Sequence, residues 1–166
     1  EFDTADVATL IANGALYSVM LHEMGHVIGF GTLWNNPPNS CLAAPSTAAH
    51  DSITPANDTI HVAAIVLDTY FSCAHAQAAF DSLGGTSYTG ASLSPPGGHK
   101  VPVENCGSSP AGCGAGMVNG HWREPVLGNE LMTGFINPGV PNPLSLLSVA
   151  AQEDLVVGQR TLDGQQ

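Results

Sequence analysis

From Thr4 to Ala12 apolar and polar residues recur at helical spacing, and Asn13-Gly14 then interrupts them, which predicts a short helix followed by a break. The pattern resumes from about Ala15 to Ile28, with Gly29 placed to stop this second helix in the left-handed conformation open to glycine. On its wheel Leu16, Met20, Met24 and Val27 cluster on one side, widened by Tyr17 and Ile28, so that side is expected to be buried. After Trp34 the texture changes: "NNPPNSCLAAPS" is turn-forming, and a strand or short helix is expected around His61 to Leu67. A further helical piece runs from Ala74 to Leu83 and ends at Gly84-Gly85. Thr86 to Gly120 is rich in Gly, Ser and Pro and reads as loops with at most short strands. "NELMTGFINPGVPNP" is turn-rich, and "PLSLLSVAAQEDL" predicts a last helix over about 144–156 with Ser145 or Ser148 near its start. The tail from Gly158 to Gln166 is expected to fray.

Within the second helix lies "LHEMGHVIGF", Leu21 to Phe30. Each helical residue advances about 100°, so His22 and His26 stand roughly 40° apart on one face and both imidazoles can reach one point. Glu23, next to the first histidine, flanks that point without having to bind there, as a general base beside a metal-bound water should. This is the H-E-x-x-H pattern of zinc peptidases, with His22 and His26 as metal ligands and Glu23 as the catalytic residue. The bland alternative is a histidine pair bonded to core carbonyls or lying on a solvated face. The chain has only 3 Lys and Arg, so few cations could satisfy two histidines and a glutamate in an apolar run, and zinc explains them better.

Two ligands leave a catalytic zinc short of the usual three protein ligands. No Glu occurs between Glu23 and Glu104, which disfavours a glutamate ligand a few turns later. In the longer pattern H-E-x-x-H-x-x-G-x-x-H, Gly29 fits but Thr32 occupies the last position, and its hydroxyl is a poor zinc ligand. His50, His61, His75, His99 and His121 remain as candidates.

Composition narrows the setting. A chain of 166 residues, 43% hydrophobic, suits one folded domain. Its formal charge of −11 would repel nucleic acid and anionic membrane surfaces. No apolar run approaches the roughly 20 residues of a transmembrane segment. Cys41, Cys73, Cys106 and Cys113 are expected to form two disulfides in an oxidising compartment, outside the cell or at its surface. Of three possible pairings, Cys41 with Cys73 and Cys106 with Cys113 is the most local. Asn57 opens a weak glycosylation signal, "NDT". The opening "EFDTAD" lacks an initiator Met, which reads as a piece of a longer precursor.

Leu21 to Trp34, "LHEMGHVIGFGTLW", closely resembles the leishmanolysin-like zinc metalloproteases, peptidase family M8 of the metzincin clan. In that family a long insertion separates the glycine from the third histidine, so Thr32 is no objection. "GHWREPVLGNELMTGFINPG", Gly120 to Gly139, is similar to the family's third-ligand region and Met-turn. The resemblance thereby implies His121 as the third zinc ligand and Met132 as the Met-turn methionine, packed beneath the site without coordinating. "VPVEN", Val101 to Asn105, and "LSVAAQEDL" also look like family sequence, and the resemblance spans most of the chain but is weak from Asn35 to Gln77, where this chain has its own insertion. His50, His61, His75 and His99 are then expected to be solvated or locally bonded loop histidines, and Trp34 and Trp122 to pack in the core.

The implied fold class is α+β, a metzincin-like zincin domain. It would comprise the active-site helix at about 15–29, an insertion at about 35–100, the third-ligand and Met-turn region at about 118–140, and the C-terminal helix. The sheet that precedes the active-site helix in such folds has no counterpart here, so an adjoining upstream part of the precursor is the expected partner, besides protein or peptide substrates. The implied activity is zinc-dependent endopeptidase. The alternatives are a noncatalytic secreted zinc-binding or adhesion module, a fragment inactive in isolation, and, more weakly, a hydrolase of non-peptide amides.

Overall fold

A computed structural model describes residues 4–36, 40–43, 69–87, 101–105 and 116–163. Helix α1 spans Thr4–Ala12 and α2 Leu16–Val27, separated by Asn13 and Gly14, whose φ of 68° suits glycine. Three two-residue strands, β1 (Leu42–Ala43), β2 (Tyr70–Phe71) and β3 (Val101–Pro102), form an antiparallel sheet in the order β1-β2-β3. Leu42 pairs with Phe71, and Phe71 in turn with Val101. Helix α3 (Ala74–Ser82), a 3-10 turn (Gly85–Ser87), the short α4 (Glu124–Leu127) and α5 (Leu146–Asp163) complete the described elements. Helices with a small antiparallel sheet agree with the expected α+β class.

The long helices pack through matching apolar stripes. Ala76, Ala79 and Phe80 are buried on α3, and Leu147, Ala150, Ala151 and Leu155 on α5, each set at helical spacing, and the two helices lie against each other. Asp154 of α5 accepts the backbone N–H groups of His75 (3.0 Å) and Ala76 (2.9 Å), capping the start of α3 from outside that helix. Ser145 does the same within its own helix, accepting the Ser148 N–H at 3.3 Å. The segment around 70–83, expected to belong to an insertion, thus contributes Phe71, Ala76 and Phe80 to the main core. A disulfide joins Cys41 to Cys73 across this region, as the local pairing anticipated. Cys106, Cys113, Asn57 and the element expected around His61 to Leu67 lie outside the described residues.

Two expectations are corrected. The last helix continues to Asp163, beyond the predicted end near 156, because nothing in "VVGQRTLD" stops it and one glycine inside a helix costs only about 1 kcal/mol. The apolar side of α2 is not buried: Tyr17 is 74% exposed, Met24 59% and Val27 85%. The helix instead turns its histidine side inward, where Leu21 packs on the core and Gly25 admits the Met132 side chain. An apolar stripe on a wheel shows only that a face could be covered, and no described element covers this one.

Four aromatic rings set the relation of α2 to the rest. Phe30 and Trp34, just beyond α2, meet Phe71 of β2 and Trp122, and all four are buried. Ring centroids are 4.7 Å apart for Phe30 and Trp34, 4.8 Å for Trp34 and Trp122, and 5.1 Å for Phe30 and Trp122, within the favourable range for aromatic pairs. Both tryptophans therefore pack in the core as expected, and Trp122 carries its neighbour His121 to the end of α2.

Candidate metal centre

His22 and His26 project from successive turns of α2, and His121 comes from a segment 95 residues further on. Backbone pairing holds that segment on both sides. Trp122 bridges Val103 antiparallel and Thr133 parallel, Glu104 donates its N–H to the His121 carbonyl at 2.8 Å, and Trp122 donates to the Met132 carbonyl at 3.0 Å. A glycine contact fixes the remaining direction. Gly31 has φ of 71°, and a Cβ there would stand 2.2 Å from the Gly120 carbonyl oxygen, so the chain leaving α2 lies directly on the turn that leads into His121.

The three imidazoles converge. The Nε2 atoms are 3.0 Å apart for His22 and His26, 3.1 Å for His22 and His121, and 2.9 Å for His26 and His121. Each ring turns its other nitrogen to a backbone carbonyl: His22 Nδ1 to Leu131 at 2.8 Å, His26 Nδ1 to Phe30 at 2.9 Å, and His121 Nδ1 to Met117 at 3.1 Å. A carbonyl only accepts, so these partners assign the hydrogen to Nδ1 in each neutral ring and leave a lone pair on each Nε2. Three lone pairs this close have no hydrogen to share. They repel one another unless a cation lies among them, and His22, His26 and His121 are close enough to hold a metal ion. Anchoring the second nitrogen on a carbonyl is the usual way a protein orients histidine ligands.

Burial favours the neutral, ligating form. His22 and His121 are 7% exposed, and desolvation holds the His22 imidazole below its ordinary range and pushes His121 down to about 4. The carbonyl bonds from Leu131 and Met117 oppose this shift without overcoming it.

Glu23 is exposed on the next position of α2 and shares an open cleft of about 720 Å³ with the three histidines. Val19, Thr32, Met117, Val118 and Ile136 form its walls. Met132 is buried, and a Cβ on Gly25 would come within 2.7 Å of its methyl carbon, so the methionine fills the gap beneath the helical turn between the two histidines. Thr32, excluded as a ligand by its chemistry, donates its hydroxyl to the His26 carbonyl at 3.0 Å. His75 lies on α3, not in a loop, and its Nδ1 meets Asp154 at 2.8 Å, away from the cluster. His50, His61 and His99 lie outside the described residues.

Sequence reasoning missed the three carbonyls, because a backbone acceptor leaves no mark on residue identity. It also passed over Glu130, although a glutamate two residues before Met132 in an apolar turn was a visible signal. Compared with protein-family models, curated proteins and solved structures, the chain gives no match, so the reading of the site rests on its geometry.

Proposed function

We propose that the protein is a zinc-dependent endopeptidase of leishmanolysin-like, metzincin type, with His22, His26 and His121 as the metal ligands and Glu23 as the general base. The observation that carries this reading is the meeting of three Nε2 lone pairs whose opposite nitrogens are all tied to carbonyls. Zinc fits this donor set: with nitrogens at about 2.0–2.1 Å and tetrahedral angles, ligand atoms stand about 3.3 Å from one another, close to the separations here. A closed structural site takes four protein ligands, and among the described residues no fourth His, Cys, Asp or Glu joins the cluster. That favours the catalytic reading over a noncatalytic zinc module.

Zinc bound there would supply Lewis acidity, lowering the pKa of a coordinated water toward about 7 and polarising a substrate carbonyl. The Glu23 carboxylate takes a proton from the attacking water and returns it to the leaving amine nitrogen as the C–N bond breaks. The carbonyls of Leu131, Phe30 and Met117 keep the imidazoles oriented and their Nδ1 hydrogens in place while charge develops nearby. The apolar walls at Val19, Val118 and Ile136 suit an uncharged peptide side chain beside the reacting bond. The Cys41–Cys73 disulfide supports a secreted or cell-surface setting. Among the described residues no helix is long and apolar enough to cross a membrane.

Glu23→Gln tests the assigned roles most sharply. The variant is expected to retain stoichiometric zinc while its cleavage of casein falls by about 10²–10⁴-fold. Undiminished turnover would remove Glu23 from the mechanism.

A further inference from the structure

Glu130 is 5% exposed, yet it is a carboxylate with no cation among the partners it shows. Four donors satisfy it instead. Its Oε1 accepts the Ser145 N–H at 3.0 Å, the Ser145 hydroxyl at 2.7 Å and the Ser148 hydroxyl at 2.6 Å, and its Oε2 accepts the Met132 N–H. Ser145 and Ser148 belong to the start of α5, where the positive end of the helix dipole also favours an anion. Ser148 in turn accepts the indole N–H of Trp122 at 2.9 Å.

These bonds lead toward His22 and His121, and Met132 packs beside the turn that carries His26. The Met132 N–H belongs to the same peptide unit as the Leu131 carbonyl, so fixing one fixes the acceptor that orients His22. Met132 also fills the space beside Gly25, between the helical turns that carry His22 and His26. Trp122, held through Ser148, is the residue after His121. We infer that Glu130 is the positioning residue of the metal centre, a buried carboxylate that sets the aim of its imidazoles and so its metal affinity. This rests on the metal-binding reading above and adds a determinant outside the ligands and the general base.

Charge matters as well as shape. All four groups facing Glu130 donate, so an isosteric amide must turn its NH2 toward at least one of them. In one orientation it faces the Met132 N–H. In the other it faces both serines, and the Ser145 backbone N–H has no way to turn aside.

The test measures zinc affinity of metal-free protein by competition with a chromophoric chelator, together with the visible spectrum of the Co²⁺ form. Glu130→Gln is expected to weaken zinc binding by about 10–100-fold, and to alter the Co²⁺ spectrum. Asp154→Ala, which removes the cap of α3 away from the cluster, is expected to lower the melting temperature and leave zinc affinity unchanged. Should Glu130→Gln fail to fold, Ser148→Ala carries the test, with a smaller but measurable loss of affinity. Unchanged affinity in the Glu130 variant, or in the serine variant where that one is used, would overturn the proposal. So would an equal loss in Asp154→Ala, since affinity would then merely follow stability. A wild-type chain that binds no zinc would instead defeat the metal-binding reading itself.

Discussion

The candidate metal centre is assembled from two regions that solve the same problem by different means. Helix α2 places His22 and His26 on one side through local geometry, since four residues of helix bring both imidazoles there, while the Leu131 carbonyl that orients His22 comes from a distant segment. The segment 117–122 supplies His121 through long-range contacts: the Gly31–Gly120 approach, the Val103 and Thr133 bridges, and the aromatic cluster around Trp122. Loosening the helix should affect its two ligands together, whereas disturbing the packing around Trp122 should act first on the third.

Gly31→Ala strikes the approach of Gly31 to Gly120 and carries the largest expected effect. A Cβ would meet the Gly120 carbonyl oxygen at 2.2 Å, on a backbone whose φ of 71° already disfavours any side chain. A destabilisation of about 3 kcal/mol or more is expected, read by denaturant unfolding, together with loss of zinc affinity. A variant with wild-type stability would mean that the close approach does not exist in solution.

Asp154→Ala sharpens the comparison from the other side. It strips two backbone N–H groups of α3 of their acceptor and breaks the contact with His75, costing about 1–2 kcal/mol. Because α3 provides no ligand, zinc content should stay stoichiometric; a parallel loss of metal would show that the two halves of the fold are not separable.

A graded effect follows from acidification of the metal-free protein. Burial holds the His22 and His121 imidazoles below the unfolded value of 6.5, His121 at about 4, so the unfolded chain binds more protons in that window. Their contribution to stability is complete above 6.5 and is lost as pH falls from there toward about 4. Denaturant midpoints should thus decline between about pH 7 and about pH 5, and the decline should shrink in His121→Gln. A midpoint that rises over this range would contradict the buried, neutral imidazoles.

The two regions also differ in how far the sequence revealed them. The spacing of His22, Glu23 and His26 sufficed to place them, because a helix imposes its periodicity on any sequence that forms it. His121 was one of five histidines until family resemblance singled it out, since loop packing follows no period. The Nδ1 acceptors, the Gly31–Gly120 approach and the Glu130 network stayed hidden because backbone groups supply half of each. Helices α1 and α3 were legible from their flanking glycines, but the exposed apolar face of α2 was misread. Hydrophobic periodicity gives the orientation of a helix only when one face alone has something to bury, and here the inward side is built from histidines, Leu21 and Gly25.

The central claim is that His121 completes a three-histidine zinc site, and elemental analysis of purified wild type and His121→Ala tests it most directly. The account predicts one zinc per wild-type chain and far less than one in the variant, with both chains folded. Equal zinc in the two proteins, or none in the wild type, would contradict it.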